Sequence, residues 1–277
     1  YHNRGVDYDY FPAELTIWIE AIESLMSPQE AEPIVALYRW MLNMHEQVIP
    51  LSQIEAEGAF DHDEHYITLQ QQLLGLLLEG NHRAAQELFK EQVQNWDHCQ
   101  SFFINVIHPT MQRIGLEWEN GRITSAEEHL ATAIVYKLLS FFYYMQENVE
   151  QKRGVAVVTA APNEFHEMGA WMVASALEMD GWDVKYLGAN TPQTDLLTVL
   201  RESNPTILAI SAALPIHVQH IVQIVAAIRK DEQLSRLKIM VGGYALDTMP
   251  KLFESTGADA YLQNSVEAVV KAREWQN

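Results

Sequence analysis

Residues 161–169 read Ala-Pro-Asn-Glu-Phe-His-Glu-Met-Gly and follow a short apolar run. An imidazole placed just beyond a strand, at the start of a helix, is exposed and able to take a metal, and His166 occupies such a place. Glu164, two residues earlier, can accept the proton on the other ring nitrogen, which fixes the tautomer and raises the basicity of the ligating nitrogen. Gly169 lets a flat ligand approach the helix closely. One histidine without cysteine partners is a poor zinc site. An imidazole backed by a carboxylate suits a single axial position on a metal that a macrocycle already holds. Two more stretches are chemically unusual. Ser211-Ala212-Ala213-Leu214-Pro215 offers a hydroxyl, and Val241-Gly242-Gly243-Tyr244 removes side chains where a bulky tail could pass. Each also has a purely structural reading: a solvated or capping histidine, a cap for the next helix at Ser211, and a turn at Gly-Gly.

These stretches gain force from the elements that must position them. Apolar runs at Gly154–Ala161, Asp183–Leu187, Thr206–Ser211, Leu237–Val241 and Asp259–Leu262 read as buried parallel strands. Helical spacing lies between and after them, at Glu167–Met179, Gln193–Glu202, Ile216–Arg229, Asp247–Ser255 and Ser265–Trp275. Five such alternations predict a flavodoxin-like or Rossmann-like parallel five-stranded sheet of order 2-1-3-4-5. Strands one, three and four are then neighbours, and their C-terminal loops carry the three stretches.

Upstream the period is helical. Leu15, Ile19 and Ile22 share one face, and Val35, Leu37, Met41, Met44 and Val48 recur at helical spacing. Ser27-Pro28 reads as an N-cap with a first-turn proline, and Pro50 as a helix end or kink. Ile54–Glu64 reads as a linker. Tyr66–Glu79, His82–Asn95, Ser101–Glu119 and Ser125–Glu147 predict an antiparallel four-helix bundle. The expected organisation is all-α plus α/β: an N-terminal helical extension over 1–65, a bundle over 66–150 and an α/β domain over 151–277.

Composition bounds the function. Of 277 residues, 48% are hydrophobic and 20% charged, a globular composition. The net charge of −19 repels phosphate backbones, so nucleic-acid contact by this chain is not expected. Cys99 is the single cysteine, which excludes an intrachain disulfide; in the bundle it reads as inert. No apolar run reaches the roughly 20 residues of a membrane span and no leader is visible, so the cytoplasm is the expected compartment. Tyr1 in place of Met reads as the start of a fragment, which leaves room for a fused output domain.

The three loop stretches resemble the cobalamin-binding domain family, whose pattern is D-x-H-x-x-G, then a serine near the end of the third strand, then Gly-Gly. Here Glu164 replaces the usual Asp. The resemblance covers residues 152–277. It implies that His166 is the lower axial ligand to cobalt, and that the displaced nucleotide tail threads past Ser211 and Gly242-Gly243. Trp118, followed after nine residues by Glu128-His129, is similar to cobalamin photoreceptors of the CarH and LitR type, as is the surrounding stretch from Ile114 to Thr132. That resemblance covers 66–277. It implies a bundle capping the upper corrin face, Trp118, Glu128 and His129 around an adenosyl group, and a cap that moves when light breaks the cobalt–carbon bond.

The residues also carry plainer roles. Trp118 fits a bundle-core aromatic, Ser125 with Glu128 a capping box, and His129 a partly buried histidine. Glu119 stands where some photoreceptors place a second cobalt-binding histidine; His98, His108 or His129 are possible substitutes. The first expectation is therefore an adenosylcobalamin light-sensing signalling module and not an enzyme, its output a protein partner, a fused domain or a homo-oligomer. The second is a corrinoid methyl carrier of a methyltransferase system, ranked lower because Trp118 and the Glu128-His129 pair would crowd a methyl donor. The third is a haem- or bilin-binding sensor, which the tail corridor argues against. Residues 1–65, with His2, His45, His62 and His65, read as an interaction or dimer helix pair.

Overall fold

The computed structural model describes residues 5–52, 64–145, 150 and 153–276. His2, His62 and residues 54–63 of the expected linker lie outside them. The described residues separate by packing into two units. One is built from residues up to Gln94 with Ser101–Lys137, the other from Asn95–Gln100 and residues from Leu138 on.

The first unit opens with a helical hairpin, α1 (Tyr10–Leu25) and α2 (Pro28–Ser52). Ser27 and Glu30 close a capping box at the start of α2: the Ser27 hydroxyl and amide both donate to Glu30 Oε2. Ile19 packs with Ala31 and Val35 to hold the hairpin. α2 runs on to Ser52, past Pro50.

α3 (Glu64–Leu78) and α4 (His82–Gln92) follow, with Asn81 capping α4 through the Ala84 amide. The expected helix to Asn95 stops three residues early, because Asn95 caps the next one: its side chain accepts from the His98 amide at 2.9 Å. That helix starts as α5 (Trp96–Phe102), passes through a π-helical stretch (Phe103–Ile107) and continues as α6 (His108–Glu119). Pro109 explains the π stretch. It has no N–H for the carbonyl of Asn105, four residues back. That carbonyl instead accepts from Nε2 of the buried Gln70 on α3 at 2.7 Å.

The capping box before α7 (Ser125–Met145) lies one residue earlier than expected. Thr124 and Glu127 form it: the Thr124 amide and hydroxyl donate to Glu127 Oε2, each at 2.7 Å. Glu128 is thereby released from capping.

In the second unit the strands are β1 (Val155–Ala160), β2 (Asp183–Gly188), β3 (Ile207–Ser211), β4 (Lys238–Gly242) and β5 (Ala260–Tyr261), all parallel in the order β2-β1-β3-β4-β5. The helices are α8 (Met168–Met179), α9 (Gln193–Ser203), α10 (Pro215–Lys230), α11 (Tyr244–Thr248), α12 (Lys251–Thr256) and α13 (Ser265–Gln276). The single helix expected over 247–255 is two short ones, divided around Pro250. Alternate strand residues feed opposite layers. Val157, Leu208 and Ile239 pack under α9 and α10, while Ala156, Val158 and Met240 pack under α8 and α13. The sheet is therefore covered on both faces, as parallel sheets require. No helix among the described residues is long and apolar enough to cross a membrane.

Candidate functional site

Register alone brings the three unusual stretches together. Ala160 pairs with Ser211, and Ser211 with Gly242, so the ends of β1, β3 and β4 lie side by side. Ser211 sits between the two glycine stretches: a Cβ built on Gly169 would lie 3.8 Å from its hydroxyl, and one on Gly243 only 2.9 Å. Ser211 does not cap α10; Leu214 holds that position and offers no side-chain cap.

Glu164 ties down the loop that leads into α10. The residue is fully buried, and its carboxylate collects five donors. Oε1 accepts from the His166 amide at 3.0 Å and from His166 Nδ1 at 2.6 Å. Oε2 accepts from the Ala213 and Leu214 amides at 2.9 and 3.1 Å, and from His217 Nδ1 at 2.9 Å. Burial by itself pushes the Glu164 carboxyl upward; the hydrogen bonds from His166, His217 and the backbone outweigh it and hold the group well below the usual carboxylate range. The carboxylate is therefore charged at neutral pH, at the N-terminal end of α10 where negative charge is favoured.

The loop that carries it is tied down on the other side. Asn163 adopts a left-handed conformation and donates its amide to Asn190 Oδ1, while the Asn190 amide donates to the Glu164 carbonyl. Thr159, at the end of β1, donates to Thr191 Oγ1 at 3.0 Å. The imidazole of His166 projects from this frame with 64% of its side chain exposed. With Nδ1 held by Glu164, Nε2 is the nitrogen that a metal would take.

His217, on the first turn of α10, is the site residue that the sequence reading missed. Its side chain is 13% exposed, and His220 lies one turn further on with its ring centroid 6.2 Å away. No local signal marks it: its partner is the Glu164 carboxylate of another loop.

The Gly-Gly pair has a reason within the protein. A Cβ on Gly242 would approach the Leu262 carbonyl oxygen to 2.6 Å, and Gly243 has φ +101° with the Ala212 carbonyl oxygen 2.5 Å from its Cβ position. Neither position accepts a side chain.

In the helical unit, Trp118 is at the surface and not in the bundle core, and its Nε1 donates to Ser125 Oγ at 2.9 Å. Glu128 Oε1 accepts from Thr132 Oγ1 at 2.9 Å, and its Oε2 lies 3.6 Å from Nε2 of His129, which is 78% exposed. His108 stacks on Phe103. Cys99 is buried, which pushes its thiol up to about 12. Among the described residues, no group of three or more His, Cys, Asp or Glu side chains forms a metal site. The donor set is instead one exposed imidazole on a buried carboxylate, which fits an axial position on a corrin-bound cobalt.

Comparison with known proteins decides the family. A B12 binding domain model matches residues 154–272, and a second B12 binding domain model matches residues 69–142. The chain belongs to the cobalamin-binding domain family. Among its curated relatives are Dimethylamine corrinoid protein 3 of Methanosarcina acetivorans, 27% identical over 59% of this chain and 76% of the relative, and the Dimethylamine corrinoid protein of Methanosarcina barkeri, 25% identical over 59% and 77%. The solved structure of the Methanosarcina barkeri monomethylamine corrinoid protein covers 75% of this chain and 98% of its own, with a TM-score of 0.64 and 19% identity, a likeness of fold.

These findings overturn the light-sensing expectation. The curated relatives named above are dimethylamine corrinoid proteins, and not photoreceptors. The structure adds a physical reason why the Trp118, Glu128 and His129 signature misled. Trp118 and Glu128 each have a hydrogen-bonding partner within the same helical unit, so their spacing does not by itself demand an adenosyl group.

Proposed function

We propose that this chain is a corrinoid methyl carrier that works with a methyltransferase. The observation that carries the reading is the exposed His166 imidazole, oriented by the buried Glu164 carboxylate, in a chain whose relatives are dimethylamine corrinoid proteins. When bound, the corrinoid supplies a cobalt centre able to accept a methyl group and give it up.

The residues divide the remaining work. His166 Nε2 would hold the cobalt. Glu164 fixes the ring orientation, and its charge supports the proton on Nδ1. Ser211, Gly169 and the Gly242-Gly243 turn would border the nucleotide tail. The partner is a protein that presents the methyl donor, which agrees with an acidic surface poorly suited to nucleic acid.

The test uses the full chain loaded with cobalamin and reduced under anaerobic conditions. Dimethylamine is supplied with a methyltransferase that serves a Methanosarcina dimethylamine corrinoid protein, and methyl iodide is used in a parallel arm. Methylation of the bound corrinoid, followed spectrally, is expected in wild type. His166→Ala is expected to lose the nitrogen hyperfine coupling in the paramagnetic form. A corrinoid-loaded wild type that takes a methyl group in neither arm refutes the carrier reading.

A further inference from the structure

The helical hairpin lies outside both matched regions, and α2 carries more apolar surface than its partner helix covers. One seam, Ala31, Val35, Tyr38 and Leu42, faces α1. A second seam runs beside it: Ile34, Leu37, Met41, Met44 and Val48, spaced three and four residues apart, the pattern of a helix facing another helix. Leu37 is 52% exposed, and Trp40, at its flank, 59%. Phe11, Trp18 and Leu25 form a heptad-spaced exposed stripe on α1. Phe11 stacks on His45, a flanking position of the second seam, so the two stripes adjoin. We propose that this face pairs with the same face of a second copy of the chain, making an antiparallel four-helix bundle from two hairpins.

Three features favour a second copy over another partner. Isologous two-fold contacts need a surface that reads alike in both directions. The seam does so, with β-branched Ile34 and Val48 at its ends, Leu37 and Met44, neither branched at Cβ, inside them, and Met41 at the centre. Charge is the second feature. The chain carries −19, yet the seam is flanked by Pro33, Trp40 and Gln47 on one side and Tyr38 and His45 on the other. Glu32, Arg39 and Glu46 recur seven residues apart on the far face of the helix. Pairing of the two α2 seams therefore sets no like charges against each other. The third feature is area. Enclosed aromatics bury about 150–250 Å² each, so the exposed fractions of Phe11, Trp18 and Trp40 with Leu25, Leu37 and Val48 present on the order of 700 Å² per protomer, against about 800 Å² per partner in a standard stable interface.

The experiment is sedimentation equilibrium of the full, cobalamin-loaded chain at about 1–50 μM. The expected mass is twice 31.6 kDa. Met41→Glu, at the centre of the seam, is expected to shift the chain to monomer with unchanged helicity. Ile17→Glu, 65% exposed and off both stripes, is expected to leave the dimer intact. Met41→Cys is the second probe: two copies of it meet at the dyad and should join by a disulfide on mild oxidation, while buried Cys99 does not compete. A monomeric wild type, a Met41→Glu dimer, an Ile17→Glu monomer, or a Met41→Cys chain that does not cross-link overturns the proposal.

Discussion

Glu164→Ala should destabilise the α/β unit even with no cofactor bound, because the carboxylate closes two structures at once. It accepts the Ala213 and Leu214 amides of the loop that leads into α10, and it holds the loop after β1 through the His166 amide. Counting only those three amides at about 1 kcal/mol each, and nothing for the two imidazoles, gives a loss of about 3 kcal/mol. For a unit of this size that is a fall in melting temperature of about 6–12 °C. Glu164→Gln should lose nearly as much, since its amide nitrogen would face donors that need an acceptor. The pH dependence has a fixed sign. The folded-state carboxyl lies below its ordinary value near 4.5, so its contribution is complete above that value and is lost as pH falls below it. The gap between wild type and Glu164→Gln should therefore be constant from pH 7 to about 5.5 and narrow in more acid solution. Thermal melts followed by circular dichroism, without cofactor, measure both. A Glu164→Ala chain that melts within about 2 °C of wild type at pH 7, or a gap that widens in acid, would refute the account.

Gln70→Leu should cost about 1 kcal/mol, because it removes the side-chain donor from the Asn105 carbonyl, to which Pro109 cannot donate; urea unfolding measures it. Thr124→Ala should cost about 1 kcal/mol by opening the capping box of α7, whereas Ser125→Ala should leave that cap intact and alter only the Trp118 environment. Melting and tryptophan fluorescence together separate the two.

The sheet was legible in the sequence because parallel strands buried on both faces appear as continuous apolar runs, and because 3.6-residue spacing fills the gaps between them. All five strands fall within two residues of their expected ends, in the expected order. What escaped was set by partners distant in the chain. The π stretch depends on Gln70 meeting the Asn105 carbonyl, which no local window contains. The shift of the capping box from Ser125 to Thr124 depends on one residue of helix phase, finer than propensity resolves. His217 was invisible for the same reason. Its importance lies in sharing the Glu164 carboxylate 53 residues away, and a histidine on the first turn of a helix does not announce that. The functional expectation failed differently. Trp118, Glu128 and His129 resemble a photoreceptor signature, but Trp118 and Glu128 are hydrogen-bonded within the helical unit and His129 is largely exposed.

The Glu164 hub explains why a longer acid can stand where the family pattern has Asp. A carboxylate that serves only the axial histidine needs to reach one imidazole and the loop amide beside it. This one must also reach the amides at the start of α10 and a second imidazole, while its backbone stays pinned through Asn163 and Asn190. The extra methylene supplies that reach: Oε1 and Oε2 point to different elements, the β1 loop and α10. The orientation of His166 is thus tied to the position of α10 through the shared carboxylate. Shortening the side chain to Asp would require one oxygen to give up its donors. Because the β1 loop is the more firmly tied, the α10 amides and His217 would lose their acceptor first, while the His166 contact survived.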